Sequence, residues 1–140
     1  MSAAQFHVIG GAPEPVGPFS HATEADGWVF VTGQMPTFPG HPDRPLPQGI
    51  EAQTRRVLDN LCCVLSGLGL GLQHVVRAGA YLTHFREDYD AFNRVYRSYF
   101  EPTRLPARTC IGVTALACGA RVEIDFIARR ALPAAGSHTA

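Results

Sequence analysis

Charged and apolar residues alternate in the stretch RLPARTCIGVTALACGARVEIDFIARR at residues 104–130. Successive side chains of a β-strand point to opposite faces of its sheet. In the second half of the stretch, apolar residues share one face: Val122, Ile124 and Phe126. Polar residues share the other face: Arg121, Glu123 and Asp125. The pattern therefore predicts a half-buried strand that carries charges on one side.

The first half of this stretch also places a charged residue in a predicted half-buried strand, and here the charge is positive. One predicted strand face carries Thr109, Ile111 and Val113, and the other carries Arg108, Cys110 and Gly112. A charge in a half-buried strand needs a partner of opposite charge or a charged ligand. Two interpretations of Arg108 therefore stand: a structural ion pair with Glu123 or Asp125, or a site for an anionic small molecule.

Composition excludes several kinds of chemistry. All twelve basic residues are arginines, so a lysine Schiff base with a carbonyl substrate or pyridoxal phosphate is impossible. A Walker-type phosphate loop would also lack its lysine. Twelve acidic residues balance the charge to zero, which argues against nucleic acid or an anionic membrane as the main partner.

Neither a metal site nor a targeting segment is predicted. The four cysteines, two of them adjacent, form no CxxC pair, and the six histidines lack ligand spacing. The N-terminus MSAAQFHVIGG has no basic region followed by an apolar run, and no apolar run is long enough to span a bilayer. We therefore expect a cytoplasmic protein with reduced thiols, no metal and no membrane association.

Hydrophobic periodicity predicts strands, a helix, a strand, a second helix and two final strands. FHVI (6–9) is a possible edge strand, and two strands flank a turn at Asp26-Gly27. Five prolines make residues 36–49 an irregular loop. Apolar residues recur at helical spacing over 50–68, and an amphipathic helix is predicted over 86–100, after a strand near 74–85.

This order predicts a single α+β domain over 1–130, with a mixed sheet and two helices on one face. Residues 131–140, ALPAAGSHTA, are expected to form a flexible tail. The two β–α–β crossovers predict parallel strand pairings, and the pattern alone pairs the last two strands as a hairpin. Two helices cover one sheet face, so a symmetric partner is expected on the other.

Several segments, in order, resemble one family. They are GPFSHA (17–22), VFVTGQMP (29–36), IEAQTRRVLDNL (50–61), LPARTCIGV (105–113) and ARVEIDFIARR (120–130). The chain is similar to the reactive-intermediate deaminases, the RidA or YjgF family. The resemblance implies a fold like Bacillus chorismate mutase, assembled as a homotrimer with a cleft at each subunit contact. It also implies that the strand near 75–84 lies between the last two strands.

The resemblance further implies a cofactor-independent hydrolysis of enamines and imines to 2-keto acids and ammonia, as by a 2-iminobutanoate/2-iminopropanoate deaminase. Arg108 matches the residue that binds the substrate carboxylate, and Glu123 the one that positions water. The backbone carbonyl of Cys110 would hold the substrate nitrogen or a water. Gly33, beside Thr32, would donate its backbone N–H to the carboxylate. Asn93 would line the cleft.

Three positions depart from the family pattern. Phe19 stands where tyrosine is common, His21 where glutamine is usual, and Thr32 where serine is common. The missing hydroxyl at Phe19 predicts a more apolar cleft wall and a preference for imino acids with larger apolar side chains. A substrate contact from His21 is also expected, with a charge that can change near neutral pH.

Three alternatives remain open at this stage. One is a non-catalytic regulator that binds small carboxylates on the same trimer; it would need only the arginine, so the presence of Glu123 favours the enzyme. A second is a ribonuclease acting on mRNA, which zero net charge disfavours. A third, a chorismate mutase, rests on fold alone.

Overall fold

The computed structural model describes residues 3–131. Apart from residue 131, the predicted tail lies outside the described residues. Six strands and two helices follow one another as β1 (Gln5–His7), β2 (Ala22–Ala25), β3 (Trp28–Gln34), α1 (Ile50–Gly67), β4 (Val75–Leu82), α2 (Phe85–Ser98), β5 (Ala107–Gly112) and β6 (Val122–Arg129). The predicted order of helices and strands is confirmed.

The strands form one mixed sheet in the order β1-β2-β3-β6-β4-β5. β4 and β5 pair in parallel, and the other neighbouring strands are antiparallel. The hairpin of the last two strands is therefore wrong, and the placement of β4 between them, implied by the family resemblance, is confirmed. The first crossover gives no parallel pairing, because β6 inserts between β3 and β4.

The turn between β2 and β3 follows its sequence signature. Asp26 has φ 51° and Gly27 has φ 82°. Two successive residues with positive φ form the turn that matches the twist of paired antiparallel strands. The hairpin predicted at Asp26-Gly27 is confirmed.

Both helices pack on the same face of the sheet. Fully buried residues of α1 meet those of β6 in one hydrophobic core: Val57, Leu58, Leu61, Val64 and Leu65 from the helix, and Val122, Ile124, Phe126 and Ala128 from the strand. Phe92 and Tyr96 of α2 join this core. Within residues 3–131, neither helix is long and apolar enough to cross a membrane.

Arginine forks anchor the chain at both ends of β6. Arg121 donates to both carboxylate oxygens of Asp88 on α2, at 2.8 and 3.0 Å. Arg130 donates to both oxygens of Glu24 on β2, at 2.8 and 3.0 Å, and this bonding lowers the pKa of Glu24. Arg121 therefore bonds to α2, whereas the alternation of polar and apolar residues predicted that its side chain shares a strand face with Glu123.

The second face of the sheet, which we call the open face, carries exposed apolar side chains. Trp28 and Phe30 of β3 and Ile111 of β5 are 43%, 47% and 45% exposed. Trp28 lies under the guanidinium of Arg129, 5.1 Å from the ring centroid. The open face therefore combines aromatic, aliphatic and charged groups over several strands.

Candidate active site

Arg108 lies on the helix-covered face of the sheet, at its β5 edge. Ala78 of β4 is in register with Arg108 on one side and with the buried Phe126 on the other, so all three share a face. The guanidinium carbon lies 4.8 Å from the ring centroid of Tyr96 and 5.4 Å from that of Phe92. Cation–π contacts of this kind hold the guanidinium fork in a fixed orientation.

A recess of about 270 Å³ opens beside the guanidinium. Its walls combine two arginines, an amide and two phenols with apolar groups: Arg108, Arg97, Asn93, Tyr89, Tyr96, Leu105 and Pro106. The Tyr96 hydroxyl is buried and has no hydrogen-bond partner within residues 3–131; burial raises its pKa to about 12. A recess of this character suits a small carboxylate.

The main-chain carbonyl of Cys110 points outward from the sheet. The N–H of Val113 donates to the C=O of Leu82 at 2.9 Å, and this bond shows which residues of β5 direct their main-chain N–H and C=O groups toward β4. Alternate residues of a parallel strand bond to its neighbour. The main chain of Ile111 therefore faces β4, and the carbonyl of Cys110 faces away from it. The thiol is partly buried, which raises its pKa.

Glu123 lies on the open face, beside β3. A side chain at position 33 would collide with the Glu123 carboxylate, so Gly33 provides the space that this group occupies. Burial raises the pKa of Glu123, and the neighbouring Asp125 carboxylate raises it further. A carboxylate of this kind is a better proton acceptor than an exposed one.

Phe19 and Thr32 lie in the same neighbourhood as Gly33. Both line a broad depression of about 450 Å³ with Phe6 and Phe30, and Phe19 also shares a small recess with Gly33. Phe19 is 39% exposed. We call Phe19, Thr32, Gly33 and Glu123 the glutamate half-site.

Three further candidates form the arginine half-site, which consists of Arg108, Asn93 and the Cys110 carbonyl. The two half-sites occupy opposite faces of the sheet, and β6 and β4 lie between β3 and β5. At about 4.8 Å per strand, β3 and β5 are roughly 14 Å apart. Glu123 and Asp125 lie on β6, two strands and roughly 10 Å from β5, on the face opposite Arg108. Within residues 3–131 neither acid pairs with Arg108, so a structural ion pair between them in one chain is excluded.

His21 has a different place from the one expected. Its side chain is 1% exposed, so it does not line an open cleft. Nδ1 accepts a hydrogen bond from the N–H of Ile9, and Nε2 donates to the carbonyl of Pro13, each at 2.7 Å. Both ring nitrogens are thus used within the chain. The interpretation as a substrate contact is corrected to a structural role, in which the ring ties residues 9–13 to β2.

Sequence reasoning overlooked two residues near the half-sites. Tyr96 is one of them, because its place under Arg108 depends on how α2 packs on β5. Tyr81 donates to Asp125 from a neighbouring strand at 2.8 Å. The alternation already placed Asp125 on the Glu123 face, but only strand pairing brings Tyr81 to it. Within residues 3–131, no three His, Cys, Asp or Glu side chains gather as metal ligands.

The structural role of His21 predicts how two substitutions differ. His21→Ala leaves the Ile9 N–H and the Pro13 carbonyl without partners, and we expect a loss of about 2–4 kcal/mol in the free energy of unfolding. His21→Gln should cost less than about 1 kcal/mol, because a carboxamide accepts and donates at neighbouring atoms. Denaturant titration at one fixed protein concentration measures both. If the His21→Gln variant were stable but had an altered substrate preference, that result would contradict the purely structural role and support a contact between His21 and substrate.

The chain is similar to known proteins over nearly its whole described length. The family model described as Endoribonuclease L-PSP matches residues 9–130. A RutC family protein of Synechocystis is 37% identical over 117 residues, which cover 84% of this chain and 89% of that protein. The 2-iminobutanoate/2-iminopropanoate deaminase of Mus musculus is 33% identical over 117 residues, 84% of each chain.

Solved structures match the fold as well. The crystal structure of the Rid-family protein YyfA from Yersinia pestis superimposes with a TM-score of 0.84 at 35% identity, over 91% of this chain and 99% of that one. The family match over residues 9–130 includes both half-sites. The chain belongs to the RidA/YjgF family.

Proposed function

We propose that the protein is a hydrolytic deaminase of small 2-imino and 2-enamino acids, releasing a 2-keto acid and ammonia without a cofactor. The observation that carries the proposal is the pair of half-sites. One offers an oriented guanidinium in a recess, and the other a carboxylate of raised pKa. The deaminase from mouse, at 33% identity, supports the same reaction class.

The arginine half-site would bind the substrate carboxylate. A planar guanidinium donates two parallel hydrogen bonds to a carboxylate and so fixes its orientation as well as its position. The aromatic ring of Tyr96 under Arg108 limits how far the fork can rotate. The outward carbonyl of Cys110 would accept a hydrogen bond from the substrate nitrogen or from a water.

The glutamate half-site would supply the proton transfers. Glu123 accepts a proton from water while the water oxygen bonds to the imine carbon and the C=N electron pair moves to nitrogen. The resulting carbinolamine receives that proton on nitrogen, the C–N bond breaks, and ammonia leaves. The proton that the carbinolamine hydroxyl loses as the keto group forms passes through Glu123 to the departing nitrogen, which leaves as NH3, and Glu123 ends ionised. A positioned general base typically contributes about 10²–10⁴-fold.

The two half-sites can act on one molecule only if they come from different copies of the chain. We propose a homotrimer in which the open faces pack together and the β5 edge of one subunit meets the glutamate half-site of its neighbour. Exposed Trp28, Phe30 and Ile111 on the open face support this arrangement, because their burial favours association. Each subunit contact would then hold one complete cleft.

Apolar groups near both half-sites bear on the preferred substrate. Phe19 belongs to the glutamate half-site and Phe30 lies beside it, and Leu105, which is 50% exposed, flanks the arginine half-site. These groups support a preference for imino acids with larger apolar side chains. The expected discrimination is about 1–3 kcal/mol for a single pocket contact.

A ribonuclease remains the second candidate, because the family model carries that description. The two arginines of the recess could contact phosphates, although formal net charge is zero. Incubation with an RNA transcript, followed by gel analysis, separates this activity from deamination. Cleavage that survives loss of Arg108 would place any ribonuclease activity elsewhere.

Arg108→Lys should lose nearly all deaminase activity. An ammonium cannot reproduce the two parallel bonds of the guanidinium, so we expect at least a hundredfold lower rate, roughly 3 kcal/mol. The measurement is keto-acid formation from imino acids generated in situ, with the spontaneous rate subtracted. Arg55→Lys, on the exposed side of α1, is the matched control and should retain full activity. Near-native activity in Arg108→Lys would contradict the carboxylate-binding role.

Glu123→Gln should lower the same rate by about 10²–10⁴-fold, because the amide keeps the shape but cannot accept the proton of water. Substrate binding should change little, so the loss is expected in kcat. Glu51→Gln, on the exposed first turn of α1, is the control for the loss of one negative charge. A change of less than about threefold in Glu123→Gln would make Glu123 a structural residue.

Mixed trimers test whether each cleft is shared. Arg108→Ala and Glu123→Gln subunits, inactive alone, are coexpressed in equal amounts and purified as one species with the mass of three chains. With random mixing in a closed ring, about a quarter of the clefts pair an intact Arg108 with an intact Glu123. We therefore expect about a quarter of wild-type activity. An inactive mixture, or a mass of one or two chains, would contradict the shared cleft.

A further inference from the structure

A second carboxylate lies beside Glu123 and has no part in the steps above. Asp125 is two residues further along β6 and therefore shares the open face. The Tyr81 hydroxyl donates to its Oδ2 at 2.8 Å, and the N–H of Gly79 donates to its Oδ1 at 3.2 Å. Two donors from β4 thus hold this carboxylate in one orientation.

Glycine makes room for each of the two carboxylates. A side chain at position 33 on β3 would collide with the Glu123 carboxylate. A Cβ at position 79 on β4 would lie 2.7 Å from Oδ1 of Asp125 and 2.8 Å from the Tyr81 hydroxyl. Each acid of β6 therefore occupies the space left by a glycine on a neighbouring strand, Glu123 beside Gly33 of β3 and Asp125 beside Gly79 of β4. The surrounding backbone limits the movement of both carboxylates.

The charged and titratable side chains of the neighbouring strands do not form ion pairs with Glu123 or Asp125 within residues 3–131. On β4, Tyr81 is in register with Glu123, and its hydroxyl is bonded to Asp125. Arg77, also on β4, donates to Thr109 on β5 at 3.3 Å. On β3, the neighbouring residues Thr32 and Gly33 carry no titratable group. Within residues 3–131, neither carboxylate forms an ion pair, so no cation of the same chain offsets the effect of the Asp125 charge on Glu123.

We propose that Asp125, held by Tyr81 and Gly79, is a positioning residue that acts through Glu123, its fixed negative charge making Glu123 a stronger proton acceptor. The inference rests on the role proposed for Glu123 above. Asp125 itself would touch neither substrate nor water. A carboxylate of ordinary basicity is a poor base at neutral pH, and a general base works best when its pKa lies near the working pH. Burial and Asp125 both raise the pKa of Glu123 in that direction.

Asp125→Asn removes the charge and keeps the shape. The amide oxygen can still accept from the N–H of Gly79, and the amide nitrogen can donate to the Tyr81 oxygen. Without the negative neighbour, Glu123 should lose its proton at lower pH. The rate is lost as pH falls through the Glu123 pKa, so the acid limb of the pH–rate profile should move to lower pH. The plateau rate should fall by about threefold to tenfold, because Glu123 is a weaker base.

Two measurements read this change. The pH–rate profile of keto-acid formation gives the acid limb, with the imine-generating enzyme in excess at every pH. Carbon-13 NMR of the glutamate side-chain carboxyls gives the Glu123 titration without any need for activity, and its resonance is the one missing from Glu123→Gln. Asp43→Asn, in the exposed loop, changes net charge equally and should leave both readouts at wild-type values.

Tyr81→Phe tests whether the phenol acts through Asp125. In the Asp125→Asn background, adding Tyr81→Phe should shift the acid limb no further, because the group that Tyr81 holds has already lost its charge. An additive shift would mean that the hydroxyl acts on Glu123 directly and would contradict this role for Tyr81. Should Asp125→Asn fail to fold, Asp125→Ser removes the same charge with a smaller side chain.

Failure of the inference and failure of the proposed function give different results. In one outcome, the wild type is active and depends on Glu123, but the folded Asp125→Asn variant has the same acid limb and the same Glu123 titration as the Asp43→Asn control. That result would overturn the role of Asp125 and leave the proposed function standing. A wild type that does not accelerate keto-acid formation would overturn the proposed function, and with it the catalytic meaning of Asp125, whatever NMR shows for the coupling between the two acids.

Discussion

The pairing of β6 with a strand on each side is the constraint on which the rest of the structure depends. β6 is antiparallel to both β3 and β4, so its register fixes theirs. Its even-numbered residues from Val122 to Ala128 enter the core under the helices, and Glu123 and Asp125 must then lie on the open face. A shift of one residue would exchange the two sets, burying both acids under α1.

The same sheet separates the two groups that the proposed reaction needs. Arg108 reaches the helix-covered side at the β5 edge, where the rings of α2 hold it, and Glu123 stays on the open side near β3. This separation keeps the cation and the base from neutralising each other within one chain. It also means that the proposed reaction would need several associated copies of the chain, since a single chain cannot bring both groups to one substrate.

Local sequence signals predicted the helices, the Asp26-Gly27 turn and the alternation of β6, because each depends on residues close in the chain. Strand order could not be read in this way. The alternation fits a hairpin of β5 and β6 equally well, and only the packing of β4 against both decides the order. His21 shows the same limit, since its partners Ile9 and Pro13 lie on a segment whose path local patterns do not predict.

The sequence by itself determined which residues can do chemistry: arginines and no lysine, a carboxylate pair at Glu123 and Asp125, and the family motifs around them. The tertiary structure decided which of these residues meet. It placed Tyr96 under Arg108, Gly33 beside Glu123, and the two half-sites on opposite faces. The physical reason is that contacts across a sheet depend on strand order and register, which are set by burial of the whole apolar face and not by any one segment.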